Sequence, residues 1–286
     1  MPAVLVLVLM VAGCSTGTPA TSAPPSPTCS PWGCAQHARF DAAATFVKGQ
    51  KGHISIVVKD RVTGAVWRAG ETGLRTWAGS TPKLALAVSL LERARSGSIK
   101  LDQRDSARID AMLHVSDNEA ADGLWDKYAD SAATMRRWQS VYGMTNASYV
   151  DGWATRWGFV KLTAPDLVNL MQYVLEKLDP ADRTFLVDRM KSVGGPQQWG
   201  VWGAGAGLHP GVKDGWDYCV EIGDTVYRWV TSTVGFAGPE ERYVVAAVYD
   251  DAPDQDLDHG VHVLTDLVAT VFGAPVPAPV VVPEDV

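Results

Sequence analysis

Strand-like sequence lies towards both ends of this 286-residue chain, and helical sequence fills its middle. A helix is predicted over residues 35–48, and two strands over 53–59 and 65–68 form a hairpin around a Gly-containing turn. Apolar residues then recur at helical spacing between residues 104 and 208. Three strands and a closing helix follow, over 212–220, 226–236, 242–249 and 258–272. This order predicts an α/β fold, with a mainly antiparallel sheet flanked by terminal helices and an all-helical lobe inserted between its halves.

A second early helix is marked by Gly79-Ser80-Thr81-Pro82-Lys83 and the apolar run that follows. Proline is tolerated in the first turn of a helix and rarely deeper, so the helix is expected to begin at Ser80 or Thr81 and to reach about Arg95. Residues three apart share a helix face, which brings Lys83 beside the Ser80 hydroxyl. An amine there can remove the serine proton, and helix-end N–H groups favour negative charge. Ser-x-x-Lys by itself is more often a capped helix without catalytic function.

The first residues have the pattern of a bacterial lipoprotein leader. Residues 3–12 form an apolar run that is too short to span a bilayer as a helix, and small residues precede Cys14. Residues 1–13 are therefore predicted to be a signal peptide, with Cys14 as the lipidated residue. Residues 14–34 supply this cysteine and a tether rich in Ser, Thr and Pro. We expect the domain to be lipid-anchored at the extracytoplasmic face of the cell membrane, with the anchor as its only membrane contact.

The composition limits the partners that the chain can have. Its formal net charge is −7 and it has no basic block, which argues against nucleic acid as a partner. His259 and His262 form a close pair, but a His-x-x-His without nearby cysteine or an acidic motif predicts no metal site. No metal and no cofactor are therefore expected.

One domain is predicted over residues 35–273, with its helical lobe at about 78–210. Within the lobe, Thr163 in Thr-Ala-Pro-Asp marks a helix start, because it combines a cap, an early proline and an acid in the first turn. The tail over 274–286 is rich in Pro and Val and is expected to be loose.

The cysteines other than Cys14 are odd in number, and an extracytoplasmic location allows them to oxidise. Cys29 and Cys34 could close a small loop, or one of them could pair with Cys219 and leave the third thiol free. The sequence does not choose between these pairings. A catalytic thiol is not expected, because no patterned histidine accompanies any of the three.

Two further motifs carry polar residues that can act together with Ser80. Ser116-Asp117-Asn118 lies within the helical block, and Lys213-Asp214-Gly215-Trp216 opens the later strands. Ser-x-x-Lys, Ser-Asp-Asn and a Lys-x-Gly motif in this order resemble the signature of penicillin-recognising serine enzymes, the class A β-lactamases and D-Ala-D-Ala peptidases. The resemblance covers about residues 35–272. Gln198-Trp199-Gly200 and the Gly-Trp after Lys213 look like the β-lactamase-related serine hydrolases of actinobacteria, which are often lipoproteins.

This resemblance implies a β-lactamase/transpeptidase-like fold and a serine hydrolase that forms an acyl-enzyme with a β-lactam or a peptidoglycan stem peptide. Ser80 would attack the substrate carbonyl, and Ser116 would pass a proton to the leaving nitrogen. Lys83 would act as the base, provided that desolvation and the charge of Lys213 lower its pKa. Backbone N–H groups of Ser80 and Trp216 would form the oxyanion hole. The substrate-binding residues implied by the resemblance are Asn118, which would hold the acyl amide, Lys213, Asp214, Gly215 and Trp216.

Two positions depart from the family pattern. Class A enzymes carry a glutamate after the second motif that activates water, and its place falls here on Ala154, so we expect acylation without efficient β-lactamase turnover. Asp151 is expected to pair with Arg156 or to cap the turn. Asp214 replaces a hydroxyl residue that helps to hold the ligand carboxylate. Two unit charges 4 Å apart interact by roughly 4 kcal/mol at an effective dielectric near 20, so either Asp214 turns onto Lys213 or the ligand lacks that carboxylate.

Two other functions remain open from the sequence. One is a genuine class A-like β-lactamase, which the missing glutamate disfavours. The other is a non-catalytic binding or sensor lipoprotein with the same fold. A binder has no need of a complete proton-transfer set, so the joint presence of all three motifs favours the enzyme.

Overall fold

A computed structural model describes Pro2, Cys29, residues 31–221 and residues 223–284. The predicted lipidation site Cys14 lies outside these residues, as do the tether over 15–28 and all of the predicted signal peptide except Pro2. No helix within the described residues is long and apolar enough to cross a bilayer.

Eight strands and eight α-helices make up the described part of the chain. The strands, in chain order, are β1 (His53–Asp60), β2 (Val66–Gly70), β3 (Arg75–Trp77), β4 (Ser148–Tyr149), β5 (Val160–Thr163), β6 (Gly211–Cys219), β7 (Arg228–Ala237) and β8 (Tyr243–Asp250). The helices are α1 (Cys34–Gly49), α2 (Pro82–Arg95), α3 (Gln103–His114), α4 (Asn118–Tyr128), α5 (Ser131–Ser140), α6 (Ala164–Glu176), α7 (Pro180–Lys191) and α8 (Leu257–Phe272). Short 3₁₀ turns connect α7 to β6.

The main sheet has the strand order β2-β1-β8-β7-β6, and every neighbouring pair is antiparallel. The two ends of the chain meet where β1 pairs with β8, with Ile54 beside Tyr249 and Lys59 beside Val244. Helices α2 to α7 lie between the two groups of strands in the sequence. The predicted antiparallel sheet with an inserted helical block is therefore confirmed, and β6 is an edge strand with one open side.

A second, three-stranded sheet of order β3-β5-β4 was not predicted. Its strands contain two to four residues each, which is too short for an alternating pattern to show in the sequence. The sheet positions the turn that carries Ser80, because the Ala78 N–H donates to the Val160 carbonyl over 2.9 Å.

Hydrophobic cores lie on both faces of the main sheet. Along β8, the side chains of Val244, Ala246 and Val248 belong to the core shared with the helical lobe. The alternate side chains, those of Val245 and its neighbours Ala247 and Tyr249, pack on the side of α1 and α8. Helix α2 is buried over its first nine residues, so the Ser80 turn is attached to the centre of the fold.

The chain termini are fixed by local contacts where they are described. Cys29 and Cys34 form a disulfide with a Cα–Cα distance of 4.8 Å, which leaves Cys219 free and buried. The described tail after residue 273 is packed, in contrast to the expected loose tail. Ala278 is 4% exposed and its N–H donates to Asp266 Oδ1 over 2.7 Å, and apolar tail residues cover the core beside α8.

Candidate active site

Ser80 lies in the turn that leads into α2. The helix begins at Pro82 with Thr81 as its N-cap, so Ser80 precedes the first turn rather than starting it. The hydroxyls of Thr81 and Ser232 both donate to the Ala78 carbonyl, over 2.9 and 2.7 Å, and fix this turn. Ser80 is 9% exposed, lines a cleft and makes no side-chain hydrogen bond to another described residue. Its hydroxyl is therefore free to meet a ligand.

Lys83 is fully buried and its amine reaches the second motif. Its Nζ donates to the carbonyl and the hydroxyl of Ser116 and to Asn118 Oδ1, the last over 2.6 Å. The indole ring of Trp157 lies 4.4 Å from Nζ. Burial lowers the pKa of Lys83 to about 7, against the opposing charge of Asp117. Three acceptors match the three hydrogens of an ammonium, and none of them is Ser80.

Ser116 lies between the two lysines of the first and third motifs. Its φ of 63° is in the left-handed region, which is uncommon for residues other than glycine and is typical of functional sites. Its Oγ accepts from Lys83 Nζ over 3.2 Å and from Lys213 Nζ over 2.8 Å. A hydroxyl has two acceptor positions and one hydrogen. The hydrogen of Ser116 is therefore left for a group in the cleft.

Lys213 is fully buried on the edge strand β6. Its Nζ donates to Ser116 Oγ over 2.8 Å, and to Gln197 Oε1 and the Asp214 carbonyl over 2.7 Å each. Burial and the charge of Lys83 hold the pKa of Lys213 well below its ordinary value. Gln197 was not predicted, because a buried glutamine in a 3₁₀ turn has no distinguishing pattern, although it directly precedes the motif Gln198-Trp199-Gly200.

The side chain of Asp214 does not line the cleft, which corrects its prediction as a substrate-binding residue. Successive side chains of a strand point to opposite faces, so Asp214 points away from the face that Lys213 uses. The Asp214 side chain is fully buried next to Gly200: a Cβ added to Gly200 would lie 2.9 Å from Asp214 Oδ1. Burial raises the pKa of this carboxyl well above its ordinary value. Lys213 binds the backbone carbonyl of Asp214 rather than the carboxyl.

The backbones of the Ser80 turn and of β6 approach closely at two glycines. A Cβ added to Gly215 would lie 2.5 Å from the Ser80 nitrogen, and one added to Gly79, whose φ is +52°, would lie 2.5 Å from the Trp216 nitrogen. The Asp214 N–H donates to Gln197 Oε1 over 3.2 Å, so this N–H points to the open side of the strand. Two residues on, the Trp216 N–H points the same way, towards the Ser80 turn.

These residues border one cleft of about 800 Å³. Ser80, Ser116, Asn118 and Trp216 line it, whereas Lys83 and Lys213 lie behind Ser116. The structure thus brings the three motifs to a single site. The remaining lining residues come from the Ser80 turn, from the α3–α4 connection, from α4, from the loop after α5 and from the β6–β7 hairpin: Gly79, Val115, Asp117, Glu119, Asp122, Arg156, Trp157, Gly158, Phe159, Asp217, Tyr218 and Trp229.

The loop that carries Ala154 presents no carboxylate to this site. Ala154 is exposed. Arg156 pairs with Asp122 over 2.8 Å and with Asp126 over 3.2 Å, so of the two alternatives expected for Asp151, the pair with Arg156 is not formed. The indole N–H of Trp157 also donates to Asp122 Oδ1, over 2.9 Å. These bonds hold the Trp157 ring against Lys83, a role that the sequence did not reveal.

The fold is that of class A β-lactamases. A β-lactamase from Burkholderia vietnamiensis superimposes with a TM-score of 0.66 and 21% identity, over 84% of this chain and 96% of that protein. An ancestral class A β-lactamase superimposes with a TM-score of 0.64 and 21% identity, over 82% of this chain and 98% of that one. This likeness confirms the fold that the three motifs imply.

The chain also has relatives in sequence among mycobacterial proteins. "Putative lipoprotein LppW" of Mycobacterium tuberculosis and its counterpart in Mycobacterium bovis are 30% identical over 228 residues, which cover 77% of this chain and 69% of the relatives. The chain belongs to the same family as these two mycobacterial proteins. No protein-family model matches the chain.

Proposed function

We propose that this protein is a lipid-anchored extracytoplasmic serine hydrolase that forms an acyl-enzyme at Ser80 with β-lactams or D-Ala-type cell-wall peptides. The observation that carries the proposal is the Ser116 hydroxyl, which accepts from both Lys83 and Lys213, so that residues of all three motifs meet at the cleft that Ser80 also lines. The name of the mycobacterial relatives supports anchoring through Cys14. The enclosing cleft, at about 800 Å³, has the size of a small-ligand site.

In the proposed acylation, Lys83 in its neutral form donates only two of its three hydrogen bonds and its lone pair takes the proton of Ser80, while Ser80 Oγ forms a bond to the substrate carbonyl carbon. The N–H groups of Ser80 and Trp216 stabilise the resulting oxyanion. When the carbon–nitrogen bond breaks, the Ser116 hydrogen passes to the leaving nitrogen and the Lys83 proton replaces it on Ser116. Asn118 keeps its Oδ1 on Lys83, so its amide NH₂ is available to the acyl chain of the substrate.

Hydrolysis of the acyl-enzyme is expected to be slow. An activated water needs a base next to the acyl carbonyl, and the cleft carboxylate of Asp122 is occupied by Arg156 and by the Trp157 indole. The Trp157 ring, next to Asp122, also packs against the amine of Lys83. These contacts, together with alanine at position 154, favour a long-lived acyl-enzyme over a genuine β-lactamase.

The test is the intact mass of the protein after incubation with benzylpenicillin and, separately, with an acyl-D-Ala thioester. We expect a stable adduct that maps to Ser80, that is absent in Ser80→Ala and that persists in Ser98→Ala, a control at an exposed serine in the turn after α2. A transient adduct with loss of the drug would instead make the protein a β-lactamase. If neither probe forms an adduct, the proposed function is wrong, and the result favours the alternative of a non-catalytic binding protein.

The acylation rate is expected to rise with pH. Only the neutral amine of Lys83 accepts a proton, and its pKa is lowered to about 7, so the rate should increase about tenfold per pH unit below 7 and level off above it. Single-turnover adduct formation between pH 5 and pH 9 measures this profile, with circular dichroism as the control for folding. A rate that is flat or falls across this range would exclude Lys83 as the base.

A further inference from the structure

Gln197 is a fully buried residue that contacts Lys213 and that the proposed acylation does not use. It ends the 3₁₀ turn Gly195–Gln197 and does not line the cleft. Its Oε1 accepts from Lys213 Nζ over 2.7 Å and from the Asp214 N–H over 3.2 Å, while its Nε2 donates to the Pro196 carbonyl over 3.3 Å. Two donors face this end of the amide, so it must be the oxygen end.

The bond to Gln197 fixes where the Lys213 ammonium points. Its three hydrogens go to Ser116 Oγ, to Gln197 Oε1 and to the Asp214 carbonyl, over 2.8, 2.7 and 2.7 Å. The Asp214 carbonyl is next in the chain, so Gln197 and Ser116 are the two acceptors from other segments. A lysine chain is flexible, and its ammonium takes its direction from its acceptors. Without the Gln197 oxygen, one ammonium hydrogen would be buried and unpaired, which favours a rearranged ammonium.

The turn that carries Gln197 is attached to the segment that leads to Ser116. The Gly194 N–H donates to the His114 carbonyl over 2.8 Å, and the Gln197 N–H donates to the Gly194 carbonyl over 2.9 Å. The His114 ring also contacts this segment, with Nδ1 at 2.7 Å from the Ser192 carbonyl. These bonds hold Gln197 and Ser116 at a fixed separation, and the lysine ammonium lies between the two side chains.

Lys213 in turn sets the direction of the Ser116 hydroxyl hydrogen. Ser116 Oγ accepts from Lys213 Nζ over 2.8 Å and from Lys83 Nζ over 3.2 Å. When both acceptor positions of a hydroxyl are filled, its hydrogen points away from both donors. If Lys213 released Ser116, the hydroxyl would be free to rotate, and its hydrogen would no longer be directed at a group in the cleft.

Resting on the proposed function, we propose that Gln197 is a positioning residue for proton delivery: it holds Lys213 on Ser116, so that the Ser116 hydrogen reaches the leaving nitrogen of the substrate. A purely structural glutamine would matter equally for every substrate. A positioning glutamine matters only when the leaving group needs a proton. A leaving nitrogen needs one, whereas a thiol ionises at a pH of about 8.5 and departs as a thiolate without one.

Gln197→Met tests this difference, because methionine keeps an unbranched chain of similar length and removes the amide. Adduct formation at Ser80 is followed by mass spectrometry at pH 8 with benzylpenicillin, whose leaving atom is nitrogen, and with the acyl-D-Ala thioester. We expect a rate at least tenfold lower with benzylpenicillin and within threefold of native with the thioester. Gln198→Met is the matched control, since the Gln198 side chain donates to the Val193 carbonyl over 3.1 Å instead. It should react within twofold of native with both probes.

Gln197→Glu keeps an oxygen that accepts from both donors, so its rate with benzylpenicillin should lie within threefold of the native rate. Thermal unfolding shows which variants fold. If Gln197→Met does not fold, Gln197→Asn carries the same expectation, because its shorter chain withdraws the oxygen from Lys213.

Equal losses with both probes, or no loss with either, would overturn the inference while Ser80 adducts still support the proposed function. A native protein that reacts with the thioester and not with benzylpenicillin would also overturn the inference alone, because no proton would then reach a leaving nitrogen. If neither probe forms a Ser80-dependent adduct with the native protein, the inference and the proposed function are both wrong.

Discussion

Replacing Lys83 with methionine is expected to lower the rate constant of acylation at Ser80 by about 10²–10⁴-fold, the usual contribution of a positioned general base. Methionine retains an unbranched apolar chain in the fully buried site and removes only the amine. At neutral pH the pKa of about 7 keeps much of the native amine in the form that accepts a proton. Single-turnover mass spectrometry with the acyl-D-Ala thioester measures the loss.

The control for this variant is Lys59→Met. Lys59 is a half-buried lysine of β1 that donates to Gln172 and is remote from the cleft lining. The Lys59→Met variant should form the Ser80 adduct at a rate within twofold of the native rate. Thermal unfolding of both variants shows whether the fold is retained. If folded Lys83→Met acylates within threefold of the native rate, a different group removes the Ser80 proton and the proposed mechanism is wrong.

The elements that could be predicted from the sequence are those that are long or whose ends carry recognisable capping residues. The predicted helix start at Thr163 is correct: its hydroxyl accepts from the Asp166 N–H, and the Asp166 carboxylate accepts from the Thr163 N–H. The small second sheet escaped prediction because β4 has two residues and β5 has four. Their pairing depends on where the α5–α6 loop folds back, which local sequence does not encode.

The site was predictable where the chemistry resides in short motifs and unpredictable where it depends on contacts between distant segments. Gln197 and Trp157 reach the lysines only because the 3₁₀ turn and the α5–α6 loop fold against β6 and α2. Asp214 is different, because strand alternation by itself places it on the face opposite to Lys213. The family resemblance implies that the Asp214 side chain binds the ligand, whereas the strand geometry places this side chain in the core.

Gly215→Ala is expected to lower the acylation rate at least 100-fold and the free energy of unfolding by about 1–3 kcal/mol. The added Cβ would lie 2.5 Å from the Ser80 nitrogen, 2.6 Å from the Ala78 oxygen and 2.8 Å from the Thr81 nitrogen. These are backbone atoms, so no side chain can rotate away to make room. The Ser80 turn must move from β6, which separates the N–H groups of Ser80 and Trp216.

Gly73→Ala is the matched control, since Gly73 lies in an exposed turn and an added Cβ there has no atom within 4 Å. It should react at the native rate. Gly79→Ala adds a Cβ from the other side, 2.5 Å from the Trp216 nitrogen, and should cause a similar loss. If both Gly79→Ala and Gly215→Ala unfold cooperatively but acylate slowly, the defect lies in the geometry of the two N–H groups. A native acylation rate in Gly215→Ala would show that Ser80 does not need its close contact with β6 to react.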